Sequence, residues 1–106
     1  MTSANWTPRE EDVARHAFHN GNQRCIQVLI KNLQAKSQSL NSAECIWKLH
    51  DFLSTERHNF EGRAEFDYNS ILFTLADMLK QQLISMEELE GLDQQKLAKI
   101  KAMSVF

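Results

Sequence analysis

A long run of apolar and small residues at helical spacing constrains the fold of this chain more than any other feature. The run begins at Thr7-Pro8-Arg9-Glu10, a capping box with proline at the first helical position, and continues to about Lys36. A helix of roughly 30 residues would be about 45 Å long. A globule formed by one domain of this size should have a radius of gyration of about 13 Å. Part of the helix should therefore extend beyond the core of its own chain.

A second copy of the chain is the simplest cover for the apolar surface that is left over. We predict an antiparallel, two-fold symmetric homodimer in which the long helices lie side by side. The alternative is a break in the first helix near Asn20-Gly21, which would fold it back into a compact monomer.

The rest of the chain is also predicted to be helical, because it has few helix breakers and no clear alternation of apolar and polar residues. It contains three Gly and one Pro in 106 residues. We expect helices over about 43–60 and 70–82, a short turn after the capping box at Ser85, and a last helix from Asp93 to about Met103.

The predicted fold class is all-α, with a long N-terminal helix packed on a second long helix and a small C-terminal helical head. We assign one domain, 1–106. Its long-helix dimerisation part covers about 7–61, and its helical head covers about 67–104.

Composition argues against several classes of protein. The chain carries 12 Lys and Arg against 14 Asp and Glu, a net charge of -2, so the basic excess of a nucleic-acid binder is missing. No apolar run is long enough to span a membrane, and the N-terminus lacks a secretory signal, so we expect a cytoplasmic protein. Cys25 and Cys45 are expected to be buried free thiols.

The sequence contains no motif that is typical of a catalytic or metal site. A phosphate-binding glycine loop, a nucleophile elbow and a zinc-protease motif are all missing. His16 and His19 share one helix face, but no further ligand completes a metal set. We therefore expect a protein that is not an enzyme and holds no cofactor or metal. A small enzyme that uses His50 and Asp51 is kept as an alternative.

Trp47 is the residue that most suggests a contact surface. At about 100° per residue, the apolar stripe of the second helix lies on the opposite side from Trp47, which shares its face with Asp51 and His58 and is flanked by His50 and Arg57. Aromatic residues and Arg beside a carboxylate are typical of interaction hot spots. Alternatively, Trp47 packs on the first helix. The expected core stripe consists of Ile46, Leu49, Phe52, Leu53 and Phe60.

The third helix has a similar outlier. Phe73 lies opposite an apolar face centred on Leu75, which indicates either a second contact site or a ring that fills a crevice between helices. The last helix carries a basic cluster that we expect to be a solvated face, able also to attract an acidic partner. This cluster consists of Lys96, Lys99 and Lys101.

Three segments resemble one known family. "WKLHDFLSTERH" with the Gly62-Arg63 that follows, "EEL" before the last helix, and the final "KIKAM" are similar to the fluorescence recovery protein family of cyanobacteria. Trp6 and the long first helix agree with that pattern, and the resemblance covers nearly the whole chain. Thr55-Glu56 and residues 59–62 differ from it on the surface around the central motif.

The resemblance implies a small, dimeric, non-enzymatic regulator of photoprotection. Members of the family bind the orange carotenoid protein, chiefly through its C-terminal domain, and speed the return of its active red form to the inactive orange form. They also help to release it from the phycobilisome, which restores antenna fluorescence. The family holds no cofactor, since the ketocarotenoid belongs to the partner. The implied location is the thylakoid-facing cytosol, with possible peripheral association near phycobilisomes.

The resemblance also implies roles for individual residues. The partner-binding patch would consist of Trp47, His50, Asp51 and Arg57, with Phe73 and Lys99 as further partner contacts on the head. The dimer interface would include Ile46, Trp47, Asp51 and Arg57, with Asp51 paired to Arg57. The alternative function is a generic helical adaptor that binds another phycobilisome or regulatory protein.

Overall fold

In the part of the chain that the structure describes, the main elements are four α-helices and a short 3-10 turn. The computed structural model describes residues 5–63 and 65–106, which form α1 (Pro8–Gln38), α2 (Ala43–Glu61), α3 (Ile71–Lys80), the 3-10 turn (Met86–Leu89) and α4 (Gln94–Ser104). The molecule measures 53 × 26 × 23 Å, and its Cα radius of gyration is 16.5 Å. The all-α fold and the long N-terminal helix are confirmed.

Helix α1 begins as the sequence predicts. Thr7 Oγ1 accepts a hydrogen bond from the Glu10 amide at 3.1 Å, and Glu10 Oε1 accepts one from the Thr7 amide at 3.1 Å. The helix then continues without interruption through Asn20-Gly21. The alternative of a break at this point is therefore wrong.

Gly21 allows the head to approach α1 closely. A Cβ atom added at this position would collide with Met78 Sδ and lie 3.2 Å from Ile84 Cγ2. Glycine at this position thus allows close packing rather than a bend.

The buried core lies at one end of the molecule. The N-terminal half of α1 packs against α3, the 3-10 turn and α4, and we call this region the head. Its core contains Ala14, Ala17, Phe18, Ile71, Leu75, Ala76, Met78, Leu83, Ile84, Leu89, Leu92 and Ile100.

The other end is a two-helix hairpin formed by the C-terminal half of α1 and by α2, residues 22–61. Ser42 caps α2 by accepting a hydrogen bond from the Cys45 amide at 3.2 Å, and the ammonium group of Lys36 lies 4.8 Å from the centre of the Phe52 ring. No described residue between 22 and 70 is buried. The core stripe that we predicted on α2 is therefore only partly covered within one chain.

The start of α3 has no side-chain cap. Ser70 occupies the N-cap position and makes no capping hydrogen bond with its side chain. The carboxylate of Asp67 instead accepts a hydrogen bond from the Asn69 amide at 3.0 Å and so organises the preceding turn. The capping box at Ser85 is present at the start of the 3-10 turn.

Within the described part of the chain, every helix is either too short or too polar to cross a membrane.

Candidate partner-binding surfaces

Trp47 projects from the hairpin into solvent. Its side chain is 64% exposed, as expected from its position opposite the apolar stripe of α2. It therefore does not pack on α1, which was the alternative interpretation. An indole that one chain leaves exposed is available for contact with another molecule.

His50 and Asp51 extend the surface around Trp47. His50 Nδ1 lies 3.5 Å from Asp51 Oδ1, and the two side chains are 73% and 83% exposed. Water surrounds both groups, so the enclosed pocket that an enzyme would need is missing at this pair. We call Trp47, His50, Asp51 and Arg57 the α2 patch.

Arg57 and Asp51 do not pair within one chain. Arg57 Nε donates to Glu61 Oε2 at 3.2 Å, one turn further along α2. Residues six apart on a helix lie about one and two-thirds turns from each other, which is too far for direct contact. The pairing that the resemblance implies would therefore need a second chain.

The hairpin also exposes aliphatic side chains. They are distributed over both helices and the connecting turn, where a single monomeric chain would usually present polar groups. These residues are Val28, Ile30, Leu40 and Ile46.

Phe73 is the corresponding aromatic residue of the head. It is 69% exposed on α3, so it does not fill a crevice within the chain, and this alternative is wrong. Lys99 is exposed on α4. The structure therefore leaves both residues accessible at the opposite end of the molecule from the tip of the hairpin.

Lys96 does not belong to the solvated basic face that we predicted. It is 8% exposed, and its ammonium group donates to the Asn5 carbonyl oxygen at 2.7 Å, to Glu10 Oε2 at 3.1 Å and to Asp93 Oδ2 at 3.2 Å. The same group lies 4.8 Å from the centre of the Trp6 ring. Lys96 thus ties the N-terminal segment and the start of α1 to the start of α4.

The pKa shifts of Glu10 and Lys96 favour the charged form of both side chains. Hydrogen bonding from the Thr7 amide lowers the pKa of Glu10 against the opposing effect of burial, and Lys96 lowers it further. Burial alone would lower the pKa of Lys96, but its hydrogen bonds to Glu10 and Asp93 raise it.

Arg63 lies where the hairpin meets the head. Its Nη1 atom donates to Asp77 Oδ2 at 3.0 Å, and its Nη2 atom donates to Cys25 Sγ at 3.0 Å. The side chain is only 16% exposed. The spacing of residues along the sequence did not predict these contacts of Arg63. Only the family resemblance singled out Gly62-Arg63.

A series of contacts between aromatic rings holds the segment after α2 on the first half of α1. The rings of Phe18 and Phe66, of Phe66 and Tyr68, and of Tyr68 and Trp6 have centres 5.9, 5.2 and 5.7 Å apart. Tyr68 also donates to Glu11, and this hydrogen bond raises the pKa of the phenol. No pattern in the sequence predicted this cluster.

Both cysteines are free, as predicted, but each is only partly buried. A hydrogen bond from the Ser42 hydroxyl lowers the pKa of the Cys45 thiol. The described residues contain no group of three His, Cys, Asp or Glu side chains close enough to hold a metal ion.

Comparison with known proteins agrees with this geometry. The sequence model of the family described as "Photoprotection regulator fluorescence recovery protein" matches residues 6–104. The chain belongs to this family. The members are regulators of photoprotection and not enzymes.

A curated relative and two solved structures place the chain firmly within the family. The fluorescence recovery protein of Synechocystis sp. PCC 6803 is 36% identical over 101 residues, which cover 95% of this chain and 93% of the relative. The structure of the Fremyella diplosiphon protein is 37% identical, with a TM-score of 0.85 over 95% of this chain and 99% of the other. The Synechocystis structure is 35% identical with the same TM-score and the same coverage.

Proposed function

We propose that this chain binds the orange carotenoid protein through its C-terminal domain and accelerates the return of the red form to the orange form. The same contact would promote release from the phycobilisome and so restore antenna fluorescence. The proposal is supported by membership of a family of photoprotection regulators. The observation that carries it is Trp47, which projects from a hairpin with no core of its own.

The working unit in this proposal is an antiparallel homodimer formed through the hairpin. The exposed aliphatic residues of α1 and α2 would be covered by the same residues of a second copy, because a two-fold axis brings identical surfaces together. Ile46, Trp47, Asp51 and Arg57 would lie at or beside this interface. Residues 7–61 then form the dimerisation part of the single domain, and residues 67–104 complete the head together with the first half of α1.

The charged residues of the α2 patch would be shared between the two chains. Among the described residues, the only basic side chain within contact distance of Asp51 is that of His50, and Arg57 pairs only with an exposed carboxylate on the same helix. An Asp51–Arg57 pair across the dimer would be partly shielded from water, where such a pair is stronger than on an open surface.

The head supplies the second contact in this proposal. Phe73 offers an exposed ring and Lys99 an exposed cation, which together suit an apolar surface that carries acidic groups.

Acceleration requires the protein to bind the transition state of the partner more tightly than the starting state. The separated domains of the red form would expose surface for the α2 patch, and the dimer would bring these domains together. Release then requires weaker binding to the closed orange product. Because the partner lies on the cytosolic face of the thylakoid, we place the protein there as well.

The test is dark recovery of the orange absorbance of purified orange carotenoid protein after illumination. We expect Trp47→Ala to slow the recovery at least tenfold, since loss of a hot-spot aromatic costs about 2 kcal/mol or more. Phe106→Ala, which removes another exposed aromatic ring, is the matched control and should recover at the wild-type rate. Equal rates for wild type and Trp47→Ala would contradict the proposal.

Sedimentation equilibrium tests the dimer separately. We expect Ile46→Glu to halve the mass at concentrations where the wild type is dimeric, because it introduces a charge into an apolar interface. Val105→Glu changes an exposed aliphatic residue just after the end of α4 and should leave the mass unchanged.

A further inference from the structure

Arg63 is placed to control how the hairpin sits on the head. It follows the last residue of α2 by two positions and contacts Cys25 on α1 and Asp77 on α3 through two different nitrogen atoms. One guanidinium therefore joins the end of α2, the middle of α1 and the head.

Helix α2 has little else to fix its orientation. It has no buried residue, and among the described residues its side-chain hydrogen bonds reach only other residues of α2 or its N-terminal turn. Asp77, in contrast, is held in place by Gln81 Nε2 at 2.8 Å. The joint thus consists of one largely buried Arg side chain set against a fixed carboxylate.

The chemistry of Arg suits this task. Its planar group reaches two acceptors at once in a fixed geometry, whereas an ammonium group at the same position would act as a single point charge. Arg63 is largely buried whereas Asp77 is 39% exposed, and loss of Asp77 would leave the buried guanidinium without its carboxylate, so the contact should persist in solution.

We propose that Arg63 is a positioning residue that holds the α2 patch and Phe73 in one rigid arrangement, so that both engage the same partner molecule. This inference rests on the proposed function. Two contacts on a rigid body act with a high effective concentration for each other, and a flexible joint lowers that concentration. Without Arg63, Trp47 would still bind, but the head would rarely find its own contact.

The experiment compares the penalty for losing the head contact in two backgrounds. In the recovery assay we expect Phe73→Ala to slow the wild type about tenfold but to slow Arg63→Gln by less than about twofold. The penalty for Trp47→Ala should be the same in both backgrounds. A merely structural role of Arg63 would lower all rates in proportion and leave the Phe73 penalty unchanged, which would overturn the proposal.

Arg24 provides the matched control. Its guanidinium also bridges separate segments, because Nη1 donates to the Leu83 carbonyl oxygen at 2.9 Å and to Glu88 Oε1 at 2.6 Å, but these bonds tie α1 to the head and involve no residue of α2 or of the segment after it. Arg24→Gln should therefore keep the full Phe73 penalty. If Arg63→Gln fails to fold, Asp77→Asn removes the charge from the same joint and should reduce the Phe73 penalty in the same way.

A distance measurement without the partner separates this inference from the proposed function. Nitroxide labels on unnatural amino acids at the exposed positions Ser54 and Lys80 report the hairpin-to-head distance, with excess unlabelled protein to dilute labels between copies. We expect a narrow distance distribution in the wild type and in Arg24→Gln, and a broad one in Arg63→Gln. An unchanged distribution would refute the positioning role, whereas a wild type without recovery activity would refute the proposed function.

Discussion

The head and the hairpin are built from the same kind of amphipathic helix, yet only the head buries side chains. In the head, α1, α3, α4 and the 3-10 turn surround a common centre, and residues such as Leu75 and Ile100 are completely buried. Two helices alone cannot enclose a side chain, so the hairpin leaves its apolar residues accessible. The head should therefore carry the stability of one chain, and the hairpin should carry its contacts with other molecules.

The largest effect is expected from the buried ion pair of the head. Lys96→Ala leaves the carboxylate of Glu10 buried without its cation, and should lower the free energy of unfolding by about 3–5 kcal/mol. Urea denaturation, monitored by circular dichroism, measures this loss of free energy. The control is Lys48→Ala, which breaks an exposed pair with Glu44 on the hairpin and should change the free energy by less than about 0.5 kcal/mol. A similar loss in both variants would contradict the comparison.

The pH dependence of stability tests the same pair. Because the pKa of Lys96 is raised above its ordinary value of 10.5, its contribution is complete below that pH and is lost as the pH rises through the folded-state value. The pKa of Glu10 is lowered from 4.5, so its contribution is present above that pH and is lost on further acidification. Lys96→Ala should remove the part of the alkaline loss that comes from this pair, while the part due to Tyr68 remains, and it should keep part of the acid loss, since the Thr7 amide still binds Glu10.

The next largest difference between the head and the hairpin is expected when an apolar side chain is truncated in each. Leu75→Ala removes a completely buried side chain of the head and should cost about 2–5 kcal/mol at any protein concentration. Leu53→Ala truncates a partly buried residue of the hairpin, and its cost should increase as the protein is concentrated, because the proposed dimer would cover this surface. Thermal melts at two concentrations a hundredfold apart compare the variants. A concentration-independent cost for Leu53→Ala would argue against a covered hairpin.

A smaller effect is expected at the glycine between the two regions. Gly21→Ala places a Cβ against Met78, and the overpacking cost of about 1–3 kcal/mol should exceed the gain in helix propensity of about 1 kcal/mol. We expect a net loss of roughly 1 kcal/mol in urea denaturation. Gly62→Ala meets only ordinary contacts, the nearest being the His58 carbonyl oxygen at 3.4 Å, and should not destabilise the chain. Greater stability in Gly21→Ala would show that the head can yield at this contact.

The smallest effect on stability is expected where the effect on function is largest. Trp47→Ala should change the free energy of unfolding of the dilute chain by less than about 0.5 kcal/mol, because the exposed indole contributes little to the fold of one chain. The same denaturation experiment at low concentration measures this. A substantial loss would mean that Trp47 supports the fold and that its recovery phenotype is indirect.

Local signals in the sequence predicted most of the fold. The capping box at Thr7 and the cap at Asp93 each depend on residues three positions apart, and both are present. The exposure of Trp47 and Phe73 followed from helical periodicity, which is also a local property. The sequence did not reveal that the stripe of α2 would remain uncovered, because periodicity identifies an apolar face but not what covers it.

The missed residues depend on distant partners. Lys96 is separated from Glu10 by 86 residues and Arg63 from Cys25 by 38, so no spacing rule links them. A basic residue on an amphipathic helix is usually exposed, and only the folded arrangement of α1 and α4 shows that Lys96 is not. The contacts of Phe66 and Tyr68 with Phe18 and Trp6 were also not predicted. Their partners are distant in the sequence, and both residues lie in a segment without regular structure, where periodicity gives no information.

The uninterrupted α1 also restricts how this chain can vary in length. One residue inserted between Gly21 and Val28 would rotate everything beyond it by about 100° relative to the head, and the hairpin would present a different face to its surroundings. Related sequences should therefore keep the length of this helix fixed, and insertions or deletions should be confined to connecting segments such as residues 39–42.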